Sequence, residues 1–266
     1  MRIATIGSDP VLAHRREVLR MMEGIEYAGE VDFSPPESLE DIDVLFIGVP
    51  RADRFRVADE AMRRGVHLFL EWPPATSIRE CAALVRLAEE AGLECGVSRP
   101  LRFSPLFESL TESSRANVIS LLMHGDRGWT GTSGAGSAVS RRTNVMADAV
   151  DLACALAGSS SVRRVDAEMV RRESAQTEIT AFSLRFHSGA YAQVLIRSDG
   201  SAEPPSICAA GESVNVDGRL DGLDAAIGRE TAMFLASVTE KRPVPVSALD
   251  ALQTMRIVER LQSVLR

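Results

Sequence analysis

Along the first hundred residues, short runs of apolar residues alternate with segments in which apolar positions recur every three or four residues. Uniformly apolar runs suit strands buried on both faces, and the longer period suits helices that lay one face on a sheet. Strands are therefore predicted at Arg2–Ile6, Tyr27–Val31, Val44–Val49, His67–Leu70 and Glu94–Val97, with helices at Val11–Glu23, Arg54–Arg64 and Ile78–Ala91. Such alternation requires a parallel sheet joined by right-handed crossovers, a doubly wound Rossmann-type half. One crossover is short. Only Phe33 to Asp43 separate the second and third runs, and Pro35-Pro36 lie among them. Prolines halt helix propagation, so at most a single turn is expected over Glu37–Glu40.

From about Leu101 the pattern changes. A helix (Pro105–Ser113), a strand (Val118–His124) and a Gly/Ser-rich loop from Gly125 to Ser140 precede a helix at Val145–Ala157. Long strand patterns follow at Val162–Arg172, Glu178–His187 and Ala190–Ser198, the last two joined by a turn containing Gly189. Shorter strands are expected at Ser206–Ala210 and Ser213–Val216, then helices at Gly228–Glu240 and Ala248–Leu265. The fold class is α/β. Residues 1–100 are expected to form a Rossmann-like domain with a doubly wound parallel sheet. Residues 101–266 are expected to form an α+β domain with an open, largely antiparallel sheet.

Composition narrows the function. The chain has 266 residues, 45% hydrophobic and 25% charged, as an ordinary two-domain soluble protein would. Its net charge of −7 argues against a nucleic-acid partner. No apolar run is long enough for a bilayer span, and MRIATIG enters a strand without an export pattern, so no membrane partner and a cytoplasmic location are expected. Cys81, Cys95, Cys154 and Cys208 are dispersed, as are His14, His67, His124 and His187, so no metal site is expected. Lys241 is the only lysine among 30 basic residues, so a drifting lysine position is expected to become arginine.

A dinucleotide fold places G-x-G-x-x-G after its first strand, for a tight turn, for backbone approach to the pyrophosphate and for helix–strand packing. Here the three positions are Gly7, Asp9 and Leu12. A carboxylate about 5 Å from a pyrophosphate costs on the order of 3 kcal/mol per charge pair at an effective dielectric of about 20. Arg15 and Arg16, a turn or so into the helix, can offset part of this. Alternatively, Asp9 caps the helix, with Pro10 at its first position. Asp32, at the end of the second strand, stands where a ribose-binding acid belongs.

The stretches IATIG, DIDVLFIGVP, GVHLFLEWPPATS, RFSP at Arg102–Pro105, NVMADAVDLACALAG, LRFHSGAYAQVLIRS and RPVPVSALDALQTMRIVERL follow one another in a telling order. In that order and spacing the chain resembles the glucose-fructose oxidoreductase / inositol dehydrogenase / MocA family. The resemblance implies NAD or NADP as cofactor, with Pro50, Glu71 and Pro73 joining Gly7, Asp9, Leu12 and Asp32 at its site. It also implies a sugar, cyclitol or related small polar substrate in a cleft between domains, and a homodimer or tetramer formed through the C-terminal sheet. The lysine of the family's Glu-Lys-Pro falls on Trp72, which can stack on a ring or pack in an interface. A cis peptide before Pro73 is expected. A family histidine falls on Arg54.

The family's Asp, His and Asp on one helix fall on Asn144, Asp148 and Asp151. Spacings of four and three put these on one face. Asp148 can act as a base, its pKa raised by Asp151. Alternatively, Asn144 caps the helix and the acids sit near its positive end. Arg141 and Arg142 can hold an anionic substrate or be solvated, and Trp129 can stack on a ring or pack. The expected function is an NAD(P)-dependent oxidoreductase acting on CH–OH groups. The alternative is a catalytically silent relative serving as a binding, regulatory or partner subunit; non-redox use such as a lyase is a third reading.

Overall fold

Five short strands build the first sheet: β1 (Arg2–Gly7), β2 (Glu26–Glu30), β3 (Val44–Gly48), β4 (His67–Leu70) and β5 (Cys95–Val97). They run parallel in the order β2-β1-β3-β4-β5. The order reverses between β1 and β3, and in open parallel sheets ligands bind beyond the strand ends at such a point. Every residue of β3 is buried, as its VLFIG sequence predicts. Three helices follow strands: α1 (Pro10–Met21), α2 (Arg51–Arg63) and α3 (Ile78–Ala91). The computed structural model describes residues 1–32, 39–113, 116–124, 138–172, 177–198, 205–211, 215–220 and 222–265. Between β2 and β3 the described residues form no α-helix; Leu39 lies in a 3-10 turn, as the short crossover predicts, and Leu39 and Ile42 plug the core. The first part of the expected turn, together with Phe33 and Pro35-Pro36, lies outside the described residues.

Two compact units result, Met1–Arg99 with Ile227–Leu252, and Pro100–Ala226 with Gln253–Arg266. The sequence reading assigns 227–252 to the second half; aromatic packing explains its place in the first. Phe234, on α6 (Leu223–Glu240), lies 4.9 Å from the Phe69 ring and 5.9 Å from the Phe46 ring, centroid to centroid. Together with Ile3, Leu12, Leu19, Val44 and Leu235 these rings form one core cluster. Each buried phenylalanine contributes roughly 1.5–3 kcal/mol. Val97 N–H also donates to Val246 O, so the same segment covers part of the β5 edge.

The second unit carries β6 (Val118–His124), β7 (Val162–Arg172), β8 (Thr177–Phe186), β9 (Tyr191–Ser198), β10 (Ser206–Ala210) and β11 (Asn215–Arg219). Their order is β11-β10-β6-β9-β8-β7, antiparallel throughout except for the parallel pair β6 and β9. Alternate residues of β6 and β9 (Ile119, Leu121, Ala192, Val194, Ile196) are buried on one face, where α5 (Ala138–Ala157) packs. The opposite face leaves Val118, Leu195 and Val170 exposed. α4 (Pro105–Ser113) and most of α7 (Ala248–Val264) complete the unit. α5 starts at Ala138 rather than Val145, because AVSRRT contains neither Gly nor Pro to stop the helix. Among the described residues no helix is long and apolar enough to cross a membrane.

Candidate functional site

At the switch point β1 and β3 end side by side, with Gly7 opposite Gly48. Gly7 has φ 109°, and a Cβ on it would come within 2.3 Å of the Gly48–Val49 backbone. A Cβ on Gly48 would lie 2.8 Å from both Asp9 Cβ and Leu12 Cδ2. The space that glycines at the second and third motif positions would leave is thus filled by Asp9 and Leu12. A glycine on the neighbouring strand makes room for them.

The start of α1 is used internally. Asp9 N–H donates to Gly48 O at 3.1 Å, Pro10 has no N–H, and Val11 N–H donates to Asp9 Oδ1 at 3.0 Å. A helix start binds phosphate through such amides and the positive end of its dipole. Here a carboxylate of the chain takes that position, which bears out the capping reading. The residues present do not fit a dinucleotide pyrophosphate at this helix.

Arg54 holds the other side of that carboxylate, its Nη2 lying 3.1 Å from Asp9 Oδ2. The same guanidinium donates to Val49 O at 2.8 Å, Glu71 O at 2.7 Å and Pro73 O at 2.9 Å. One side chain therefore ties the ends of β3 and β4 to the start of α1. Burial, and then the Glu71 charge, push the Asp9 carboxyl up, against the pull of Val11 N–H and Arg54. Burial pulls Arg54 down. Pro50 is exposed at the start of α2.

Arg15 and Arg16 do not serve Asp9 as expected. Arg16 donates to Thr5 Oγ1 at 3.1 Å and to Gly7 O, and pairs with Glu30 at 3.1 Å. It thereby spans the ends of β1 and β2; Asp32, two residues beyond Glu30, is exposed. Arg15 is fully buried and reaches Glu71 at 3.0 Å, Glu230 at 2.9 Å, Thr231 Oγ1 at 2.7 Å and Ser98 Oγ at 3.0 Å. Its guanidinium also lies 4.4 Å from the Phe69 ring centroid. Burial pushes Glu230 up, to about 7, despite the opposing pull of Arg15. Glu71 is thus a structural anchor on both its side-chain and backbone oxygens.

Trp72 is half-buried and joined to Pro73 by the expected cis peptide. The Arg99 guanidinium lies 3.4 Å from its ring centroid. Trp72 Nε1–H is buried with no hydrogen-bond partner among the described residues. Arg99 and Glu230 were invisible to pattern reading, since neither belongs to a motif. The only trace is that buried arginines need acids, and those acids lie far along the chain.

In the second unit Asn144, Asp148 and Asp151 share one face of α5. Asn144 lies inside the helix, so it is not the cap. Asp151 is buried in a two-pronged ion pair with Arg102, both N–O distances being 2.7 Å. Its charge is matched there, so it is not a bare neighbour acting on Asp148. Arg142 pairs with Glu178 at 2.6 Å. Although burial works against it, Arg142 and Arg171 hold the Glu178 carboxyl below its usual range. Arg142 is therefore neither solvated nor a bare cation for a substrate. Nothing is described of the Arg141 side chain, and Trp129 lies outside the described residues.

Residues 13–99 match the family model GFO_IDH_MocA, described as an oxidoreductase family with an NAD-binding Rossmann fold. A glycosyl hydrolase family 109 protein of Phocaeicola vulgatus is 33% identical over 69 residues, 26% of this chain and 13% of that protein. A second such protein, from a Shewanella strain, is 25% identical over 118 residues, 44% of this chain and 26% of the relative. The matches thus span about a quarter or less of the relatives' own length. Among solved structures, a dehydrogenase from Chromobacterium violaceum superposes with a TM-score of 0.84 at 18% identity, covering 100% of this chain and 95% of that one. A UDP-N-acetylglucosamine 3-dehydrogenase from Acidithiobacillus ferrooxidans gives 0.80 at 18% identity, covering 100% and 97%. At such identity the structural likeness establishes the fold. The sequence match relates residues 13–99 to the glucose-fructose oxidoreductase / inositol dehydrogenase / MocA family, and the structural likeness extends the shared fold over the rest of the chain.

Proposed function

We propose that this chain is a non-redox member of its oxidoreductase family, a binding or partner subunit that keeps the fold and works through its second sheet. The observation that carries this reading is the Asp9 carboxylate, seated on Val11 N–H and Arg54 where a pyrophosphate would bind. The exposed face around Val118, Leu195 and Val170 supports assembly with a second copy of the chain, as a dimer or tetramer. The test is a titration of NADH and NADPH followed by tryptophan fluorescence and calorimetric heat. No binding is expected at millimolar cofactor; tight binding of either would sink the reading.

The family match over residues 13–99 favours a second reading, an NAD- or NADP-dependent oxidoreductase acting on a sugar, cyclitol or similar polar molecule. Asp148 would be its proton-transfer group and Trp72 a stacking surface. Under that reading Asp148→Asn abolishes turnover and leaves cofactor binding intact.

A further inference from the structure

A dinucleotide on a sheet of this order needs an acid near the β2 end for its ribose and the start of α1 for its pyrophosphate. The start of α1 is engaged from within, and Glu30, which ends β2, is paired. Arg16 takes up Glu30 and the end of β1, and Asp9 caps α1. Beyond them, Arg54 binds three carbonyls at the ends of β3 and β4. The Asp9–Arg54 pair is nearly enclosed, with side-chain exposures of 11% and 5%. An ion pair this enclosed is costly to break, because the remaining charge is left buried and unmatched.

We infer that Asp9 is a tethered occupant of the phosphate position, and that Arg54 is the positioning residue that holds it there. The inference rests on the non-redox reading and names its physical cause. A tethered group acts at an effective concentration of about millimolar or more, so an external anion must outcompete it. A phosphate that enters while the carboxylate stays meets a like charge, which weakens binding about a hundredfold. Gly48 is part of the device, since any side chain there would collide with Asp9 and Leu12. The chain thereby needs no bound nucleotide to complete this edge of the sheet.

Anion rescue in the full chain tests this, with inorganic pyrophosphate as probe and melting temperature and calorimetric heat as readouts. Wild type is expected to be indifferent to millimolar pyrophosphate. Asp9→Gly should melt lower by about 5 °C and regain much of that loss with pyrophosphate. Its affinity for the probe should exceed that of wild type about a hundredfold. Asp9→Asn keeps an oxygen for Val11 N–H, so it stays folded and should bind more tightly than wild type. Adding Arg54→Met to either variant should remove the rescue. Two results overturn the inference: Asp9→Gly and Asp9→Asn both as indifferent as wild type, or rescue that persists without Arg54. These differ from NADH binding by wild type, which sinks the non-redox reading itself.

Discussion

At the ends of β1 to β4 charged side chains turn on one another: Arg16 on Glu30, Arg54 on Asp9, Arg15 on Glu71 and Glu230. The outer face of the six-stranded sheet is built the other way. There Leu195 stands between Leu122 and Ala181 in register, with Val118 and Val170 exposed nearby. A cluster of matched charges gains little from an outside ion, whereas exposed apolar side chains gain about 25 cal/mol for each Å² that a partner covers. On the proposed non-redox reading, the first sheet has filled the fold's usual place for a ligand, whereas the second has a surface that still gains by being covered.

The sharpest way to break this contrast is to unmatch the charges. Arg15→Met leaves Glu71 and Glu230 buried without their guanidinium. It should cost about 3–5 kcal/mol, read as a large fall in the urea midpoint. Arg15→Lys should recover little, because one ammonium cannot reach four partners in a fork. A loss below about 0.5 kcal/mol would mean that the network is dispensable.

Next in size is pH. The Glu230 carboxyl titrates at about 7 in the fold, above its ordinary value of 4.5, so between these values the folded chain holds the extra proton. Stability from this group is full below about pH 4.5 and is lost as pH rises through about 7, by up to about 3 kcal/mol. Glu230→Gln should flatten that slope relative to wild type. A slope unchanged by the substitution would contradict the role given to burial.

The smallest expected effect on folding, and the most informative about the second sheet, is Leu195→Arg. An exposed strand residue should change stability by less than about 0.5 kcal/mol. If a second copy covers this face, self-association should weaken by about tenfold or more, measured by sedimentation. Unaltered association would move the interface elsewhere.

Much of the architecture was legible because apolar periodicity is a local property. VLFIG, HLFL and the α3 segment lie where their patterns place them. The seat of Asp9 was also legible, since Asp-Pro before an apolar period is a helix-start signal. Its hold by Arg54, 45 residues away, was not. Nor was the Arg15 network, whose acids lie 56 and 215 residues along the chain. Periodicity marked Arg15 as just another polar position, yet it is fully buried. The parallel β6–β9 pair escaped for the same reason, because alternation reveals a strand and not its neighbour.

Phe234 and Glu230 are translated after six-sevenths of the chain, yet they complete the core of the part made first. During synthesis the Phe46 and Phe69 rings and the Arg15 guanidinium therefore wait for a segment still on the ribosome. A nascent chain stopped before Ile227 should carry an apolar, unmatched surface that chaperones recognise.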